Sequence, residues 1–207
     1  MSTLADVVEQ VAAGVAAAHD ELNRLDAAAG DGDLGNTIVL AAQAVRASVD
    51  ADRDASPAAL LRRCGTDVAT SAPSTSGTLT ARALLAAGRA VDSADQAKPV
   101  VGVVALAFEA ALAAIQSAGK AAPGDRTMLD ALAPAVAELT QQADAGASVG
   151  QALAAAAVAA RRGAEATRDM TPRAGRARWL AERSKGTEDA GAHFVGEVLR
   201  LAAGALA

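Results

Sequence analysis

Apolar side chains recur along this chain at intervals of three and four. Leu4, Val7, Val8, Val11, Val15, Ala18, Leu22 and Leu25 fall on one face of a helix, and Thr3 with Asp6 has the spacing of a capping box at its start. The pattern predicts that this first helix ends at an acidic, glycine-containing loop. A second helix follows over about 35–49, then a polar link over 50–56. Pro57 opens a third helix, which carries Leu60, Leu61 and Val68 and ends near Ser71. Pro73-Ser74-Thr75-Ser76-Gly77 interrupts the pattern before a fourth helix over 78–91. The fifth, over 100–117, is apolar almost all round, which predicts the most buried helix. Thr127 with Asp130, and Ser148 with Gln151, mark the starts of the sixth and seventh. After about Thr167 the periodicity dissolves into Arg-rich, Gly-containing sequence until a last helix over 192–206. Few segments alternate with period two and the connections are mostly short. The expectation is an all-α, eight-helix antiparallel up-down bundle or barrel forming a single domain over 1–207.

In such a bundle alternate loops lie at one end. Residues 26–37, 73–78, 119–128 and 173–191 follow the first, third, fifth and seventh helices, so they should share one rim and build a composite site there.

Composition supports the helical reading and narrows the chemistry. Of 207 residues, 52% are apolar but only 1% aromatic, and Ala, the strongest helix former, dominates. A net charge of −5 with scattered basic residues argues against nucleic acid as the main partner. The single Cys64 sits in a helical pattern and reads as a buried thiol in a reducing compartment. The longest apolar run, Val100 to Phe108, is broken by Glu109 and reads as a buried helix, not a membrane span. With no leader-type segment in view, the expectation is a soluble cytoplasmic protein.

The densest chemistry is Asp26-Ala27-Ala28-Ala29-Gly30-Asp31-Gly32-Asp33-Leu34-Gly35-Asn36. Three carboxylates held close together repel unless a cation sits among them, and glycines let the backbone wrap closely around it. Oxygen ligands without nearby Cys or His suit magnesium or calcium, not zinc. Asp26, Asp31 and Asp33 therefore read as a magnesium site that also holds phosphate. Ser74, Thr75, Ser76 and Gly77 offer hydroxyls and N–H groups at a helix start, which taken alone is an ordinary cap cluster. Lys120 and Arg126 flank a Pro123-Gly124-Asp125 turn as solvated charges. Arg173, Arg176, Arg178 and Arg183 can balance a polyphosphate, with Trp179 and Leu180 anchoring their stretch to the core. His19 and His193 read as structural or exposed. No G-x-x-x-x-G-K-[ST] sequence occurs, which excludes a P-loop nucleotidase.

At these residues the chain resembles the dihydroxyacetone kinase L subunit: the stretch from Leu25 to Asn36 is similar to its L-D-x-x-x-G-D-x-D-x-G-x-N signature. Pro123-Gly124-Asp125-Arg126-Thr127-Met128 is similar to the family's P-G-D-K-T-M. The run from Gly175 through Arg176, Trp179 and Arg183 to Gly186 is similar to G-R-A-S-Y-L-G-E-R-S-I-G, and Asp189-Ala190-Gly191-Ala192 to D-P-G-A. The acidic motif alone would also suit the related fatty acid kinase nucleotide domain. Three collinear motifs select the L subunit. The resemblance implies an eight-helix barrel with ADP or ATP and two magnesium ions at one end, the metals on Asp26, Asp31 and Asp33. It implies nucleotide contacts from Leu34, Gly35, Asn36, Thr37, Thr75, Ser76, Gly119, Met128, Arg176, Asp189, Ala190 and Gly191, with Met128 on the adenine and Arg176 at the phosphates.

It also implies glycerone kinase chemistry in glycerol metabolism, with the acceptor sugar held covalently by a histidine of a separate K subunit. The donor is either exchanging ATP or a held ADP recharged by a phosphotransferase-system phosphocarrier protein. Nucleic acid and membrane are not expected partners, and a homodimer is an oligomer to test for. Leu34 stands where the family usually has His, Pro73-Ser74-Thr75-Ser76-Gly77 where it has G-G-x-S-G, and Ala190 where it has Pro. These departures bear on the acceptor, leaving a tetrulose or another small ketose or polyol open. A non-catalytic nucleotide-binding regulator is the rival reading.

Overall fold

The structure, a computed structural model, describes residues 3–207, with Arg176 described by its backbone alone. Among the described residues it is all helix and turn: α1 Leu4–Ala17, α2 His19–Ala29, α3 Leu34–Ala51, α4 Pro57–Ser71, α5 Thr75–Asp92, α6 Val100–Gly119, α7 Leu129–Asp144, α8 Val149–Ala166, α9 Ala181–Ser184 and α10 Ala190–Gly204, with 3₁₀ turns at Thr167–Asp169 and Arg176–Trp179. The expected first helix is α1 and α2 together, interrupted at Ala18, and both parts pack on α3 and α10. α9 is one turn inside the last connection. Eight rods remain, each against its sequence neighbours, and α10 returns to α1 and α2 to close the ring.

Local sequence explains the starts. Thr3 and Ser148 form complete capping boxes with Asp6 and Gln151. Ser56 caps α4 with Pro57 in the first turn, and Ser74 caps α5 by accepting from the Gly77 N–H at 3.0 Å. Two boundaries move relative to the periodicity. α2 runs on to Ala29, because Ala27 to Ala29 continue the helix, so Asp26 lies on a helix and the connecting loop is only residues 30–33. α5 begins at Thr75, three residues early, because Ser74 satisfies the amides of its first turn.

The core is built largely from alanine. Ala131, Ala135, Ala152, Ala156, Ala160 and Ala164 are buried along α7 and α8, with Leu129, Leu139 and Leu199 filling the space between them and α10. A second cluster joins Val15, Leu22, Leu25, Leu34 and Ile38 across α1 to α3. α6 is not the most buried helix. Only Val101, Ala105, Ala107 and Ile115 are buried, and Val100 is 70% exposed. In a single ring of helices each rod has an outer face, and the small apolar residues of α6 leave theirs open to solvent.

Candidate metal and nucleotide site

The four chemistry-bearing connections meet at one rim. Thr37 Oγ1, in the first turn of α3, donates to Ser74 Oγ at 3.3 Å, joining the first and second. The Arg173 N–H donates to the Asp125 carbonyl at 3.0 Å, joining the third and fourth. Arg183 joins the fourth to the first by donating to the carbonyls of Ala28 at 3.2 Å and Gly30 at 2.9 Å.

Within the rim, one carboxylate oxygen from each of Asp26, Asp31 and Asp33 lies within 4.8 Å of the other two. Asp26 reaches in from the last turn of α2. Its Oδ2 accepts from the Gly32 and Asp33 N–H groups at 2.9 and 3.0 Å, folding the loop back over the helix end. Gly32 makes that return with φ +79°, where a side chain would be strained. Asp31 and Asp33 are exposed at the rim. The donor set fits a hard divalent cation, and these three residues could hold magnesium.

Behind the loop lies a polar chain that periodicity did not reveal. His19 Nε2 is 2.8 Å from Asn36 Oδ1, Nδ1 is 2.8 Å from Asp20, and Asn23 Nδ2 is 3.2 Å from Nε2. Asn23 Oδ1 accepts the Gly35 N–H at 2.7 Å. Its contacts with Asn36 and Asp20 hold the His19 imidazole pKa above its ordinary value. A Cβ on Gly35 would lie 2.2 Å from the His19 carbonyl, so only glycine lets α3 start this close to α2. His19 thus sits within the site while remaining half exposed. The missed signal was the four-residue spacing of His19 and Asn23 on the helix that delivers Asp26.

Of the nucleotide residues implied by the resemblance, Leu34 is buried beneath the loop, while Gly35, Asn36 and Thr37 form the first turn of α3. Thr75 and Ser76 open α5 beside Thr37's partner Ser74. Met128 packs against the position of Gly191, where an added Cβ would lie 3.3 Å from its own Cβ. Asp189 caps α10 by accepting from the Ala192 N–H at 2.8 Å, with Ala190 and Gly191 in that first turn. Burial pushes its carboxyl up to about 6, against the Ala192 N–H and the Arg126 charge. Gly119 ends α6 with open space around it. The backbone of Arg176 begins a 3₁₀ turn, and its side chain lies outside the described residues.

Two expectations for the rim are corrected. Arg126 is not a solvated charge: it is 2% exposed, with φ +59°, and its guanidinium donates to Ser184 Oγ and to the Ser184 and Thr187 carbonyls. Its Nε has no partner, and burial lowers its pKa. Trp179 does not anchor its segment to the core; it is 75% exposed, with the Arg178 guanidinium 4.6 Å above its ring. The anchors are polar. Glu188, 2% exposed, accepts from Arg161 and Arg168 and meets His193 Nδ1 at 2.9 Å. Burial opposes its ionisation, but these bonds outweigh it and hold the carboxyl at about 2.

A closed ring of helices with an acidic cluster at one rim defines a class, and sequence comparison identifies it. Residues 28–203 match the DAK2 domain model, and the chain belongs to that family. It is 40% identical over 191 residues to D-erythrulose kinase of Mycolicibacterium smegmatis, which covers 91% of this chain and 33% of that one. Identity to human triokinase/FMN cyclase is 37% over 198 residues, covering 95% and 34%. The dihydroxyacetone kinase of C. freundii in complex with AMP-PNP and Mg2+ superposes with a TM-score of 0.77 at 29% identity, covering 99% of this chain and 34% of that one. The chain spans about a third of the length of these relatives.

Proposed function

We propose that this chain is the nucleotide-binding part of a phosphotransferase that acts on an alcohol group of a small ketose. The observation that carries the reading is the convergence of Asp26, Asp31 and Asp33 on a rim that also presents the first turns of α3 and α5. Magnesium held by these three carboxylates would neutralise charge across the phosphates of ADP or ATP. The residues themselves orient and bind. The exposed Asn36 and Thr75 and the partly buried Ser76, at the starts of α3 and α5, suit phosphate oxygens, and Met128 beside Gly191 offers an apolar surface to a purine. The C. freundii complex with AMP-PNP and Mg2+ supports this assignment.

In this reading the acceptor sits on a separate part, a K-type subunit or domain, consistent with relatives three times as long. The names of the similar kinases favour a tetrulose over dihydroxyacetone. The protein works in the cytoplasm, where the buried free thiol of Cys64 stays reduced. A coupled kinase assay with erythrulose and dihydroxyacetone, with and without a K-type subunit, tests the reading. Turnover should require both parts. Turnover by this chain alone, at rates of about 1–100 per second, would refute the two-part division. No magnesium-dependent nucleotide binding at all would refute the site.

A further inference from the structure

The chain's only tryptophan, Trp179, closes a 3₁₀ turn on the rim segment and is 75% exposed. Arg178 covers one side of the indole at 4.6 Å, and the adjoining Leu180 is only partly buried. Large aromatic surface left in water, paired with arginine, is the composition of an interface anchor. The surrounding sequence is charged in one sense. Between residues 173 and 187, Arg173, Arg176, Arg178, Arg183 and Lys185 stand against Glu182 alone, in a chain of net charge −5. Arg183 straps this segment to the carbonyls of Ala28 and Gly30, next to the three metal acids.

We infer that the Arg178–Trp179 knob is the anchor by which the acceptor-carrying K-type part docks, an acidic, apolar-lined cleft on that part receiving it. This rests on the kinase reading above. The argument for that occupant is geometric. An acceptor hydroxyl has to reach the terminal phosphate in line, the phosphate site is at this rim, and the basic segment is tied flush to its edge. A partner seated on Trp179 therefore covers the metal acids and excludes water from them. Charge opposite to the knob steers the encounter, and the indole slows dissociation.

The test is Trp179→Ala in the full chain, assayed against a titrated K-type subunit with saturating Mg–ATP. Half-saturating partner concentration should rise at least about tenfold, while maximal turnover and Mg–nucleotide affinity stay within about twofold; Trp179→Phe should recover most of the loss. In wild-type protein labelled with 5-fluorotryptophan, the single ¹⁹F line should shift as unlabelled K-type subunit is added. An unchanged half-saturation in Trp179→Ala overturns the docking role and leaves the kinase reading standing. So does an equal loss of nucleotide affinity, which would make Trp179 structural. A line shift that follows the concentration of this chain alone assigns the knob to self-association and also overturns it. Absence of partner-dependent turnover in wild type overturns the kinase reading itself, and this inference with it.

Discussion

Arg183 donates from its guanidinium to the Gly30 carbonyl at 2.9 Å, across 153 residues of sequence. The connection between α8 and α10 is thereby fastened to the loop that carries Asp31 and Asp33. The residues that follow Arg183 are fastened by Arg126, whose guanidinium donates to Ser184 Oγ and to the Ser184 and Thr187 carbonyls. One arginine holds the segment to the metal loop and the other to the Pro123-Gly124 turn, so the rim is braced before any ligand arrives.

Removing the first brace should loosen the site more than the fold. Arg183→Met loses two hydrogen bonds at an exposed position, each contributing about 0.5–1.5 kcal/mol at most. The melting temperature should fall by only a few degrees, whereas amide exchange over 176–188 accelerates and Mg–nucleotide affinity drops severalfold. Calorimetry and hydrogen exchange measure the two effects. An unchanged exchange rate in that segment would show that Arg183 braces nothing.

The metal assignment has a sharper consequence. Asp33→Asn keeps the size of the side chain but removes one of three charges. Magnesium-dependent nucleotide affinity should fall by about 100-fold or more, since even outer-shell partners of metals cost 10–100-fold when changed. Helical content without metal should stay the same. Titration calorimetry with Mg–ADP decides the first point and circular dichroism the second.

Most of the rim was legible in the sequence, because caps and loop chemistry are local signals. Ser56 with Pro57 and Ser148 with Gln151 fix helix starts within a residue, and helix order alone sends alternate loops to one end. Burial was less legible. The apolar circumference of α6 could not reveal that a ring leaves each rod an outer face, nor could Trp179 reveal that it points to water. The buried ions were invisible for the same reason. Arg126 is burdened with desolvation and accepted only because carbonyls more than fifty residues away solvate it, and Glu188 gathers Arg161, Arg168 and His193 from α8, the 3₁₀ turn after it and α10.

Close approach of α2 and α3 gives a backbone prediction. Gly35→Ala would place a methyl carbon 2.2 Å from the His19 carbonyl and 2.7 Å from Asn23 Oδ1. The carbonyl is backbone and cannot swing away, so α3 must retreat and the Asn23 bond to the Gly35 N–H must break. A loss of about 2–4 kcal/mol in denaturant unfolding is expected, together with loss of magnesium binding. Asn23→Ala should weaken nucleotide binding at a smaller cost in stability, because it removes the acceptor without forcing the helices apart.

The neighbouring carboxyls Glu188 and Asp189 should give the stability curve two opposite limbs in acid. Glu188 is held at about 2, below the ordinary 4.5. A depressed carboxyl contributes stability above its unfolded value, and that stability drains away as pH falls from about 4.5 towards 2. Asp189 is raised to about 6 from 3.8. Its burial as an anion costs stability above pH 6, and the cost is relieved as pH falls from about 6 towards 4. The melting temperature should therefore rise, or hold level against other carboxyls, between pH 7 and 5, then fall steeply below 4.5. Glu188→Gln should lower stability at pH 7 by about 1–2 kcal/mol, because it removes charge-assisted hydrogen bonds to arginines that are themselves half exposed and can be rehydrated, and should flatten the limb below 4.5. Asp189→Asn keeps a capping oxygen for Ala192 and should flatten only the limb between 7 and 5. Thermal unfolding of the three proteins across pH 3–8 reads both limbs. If Glu188→Gln leaves the acid limb unchanged, the arginine and histidine contacts do not hold that carboxylate as the geometry implies.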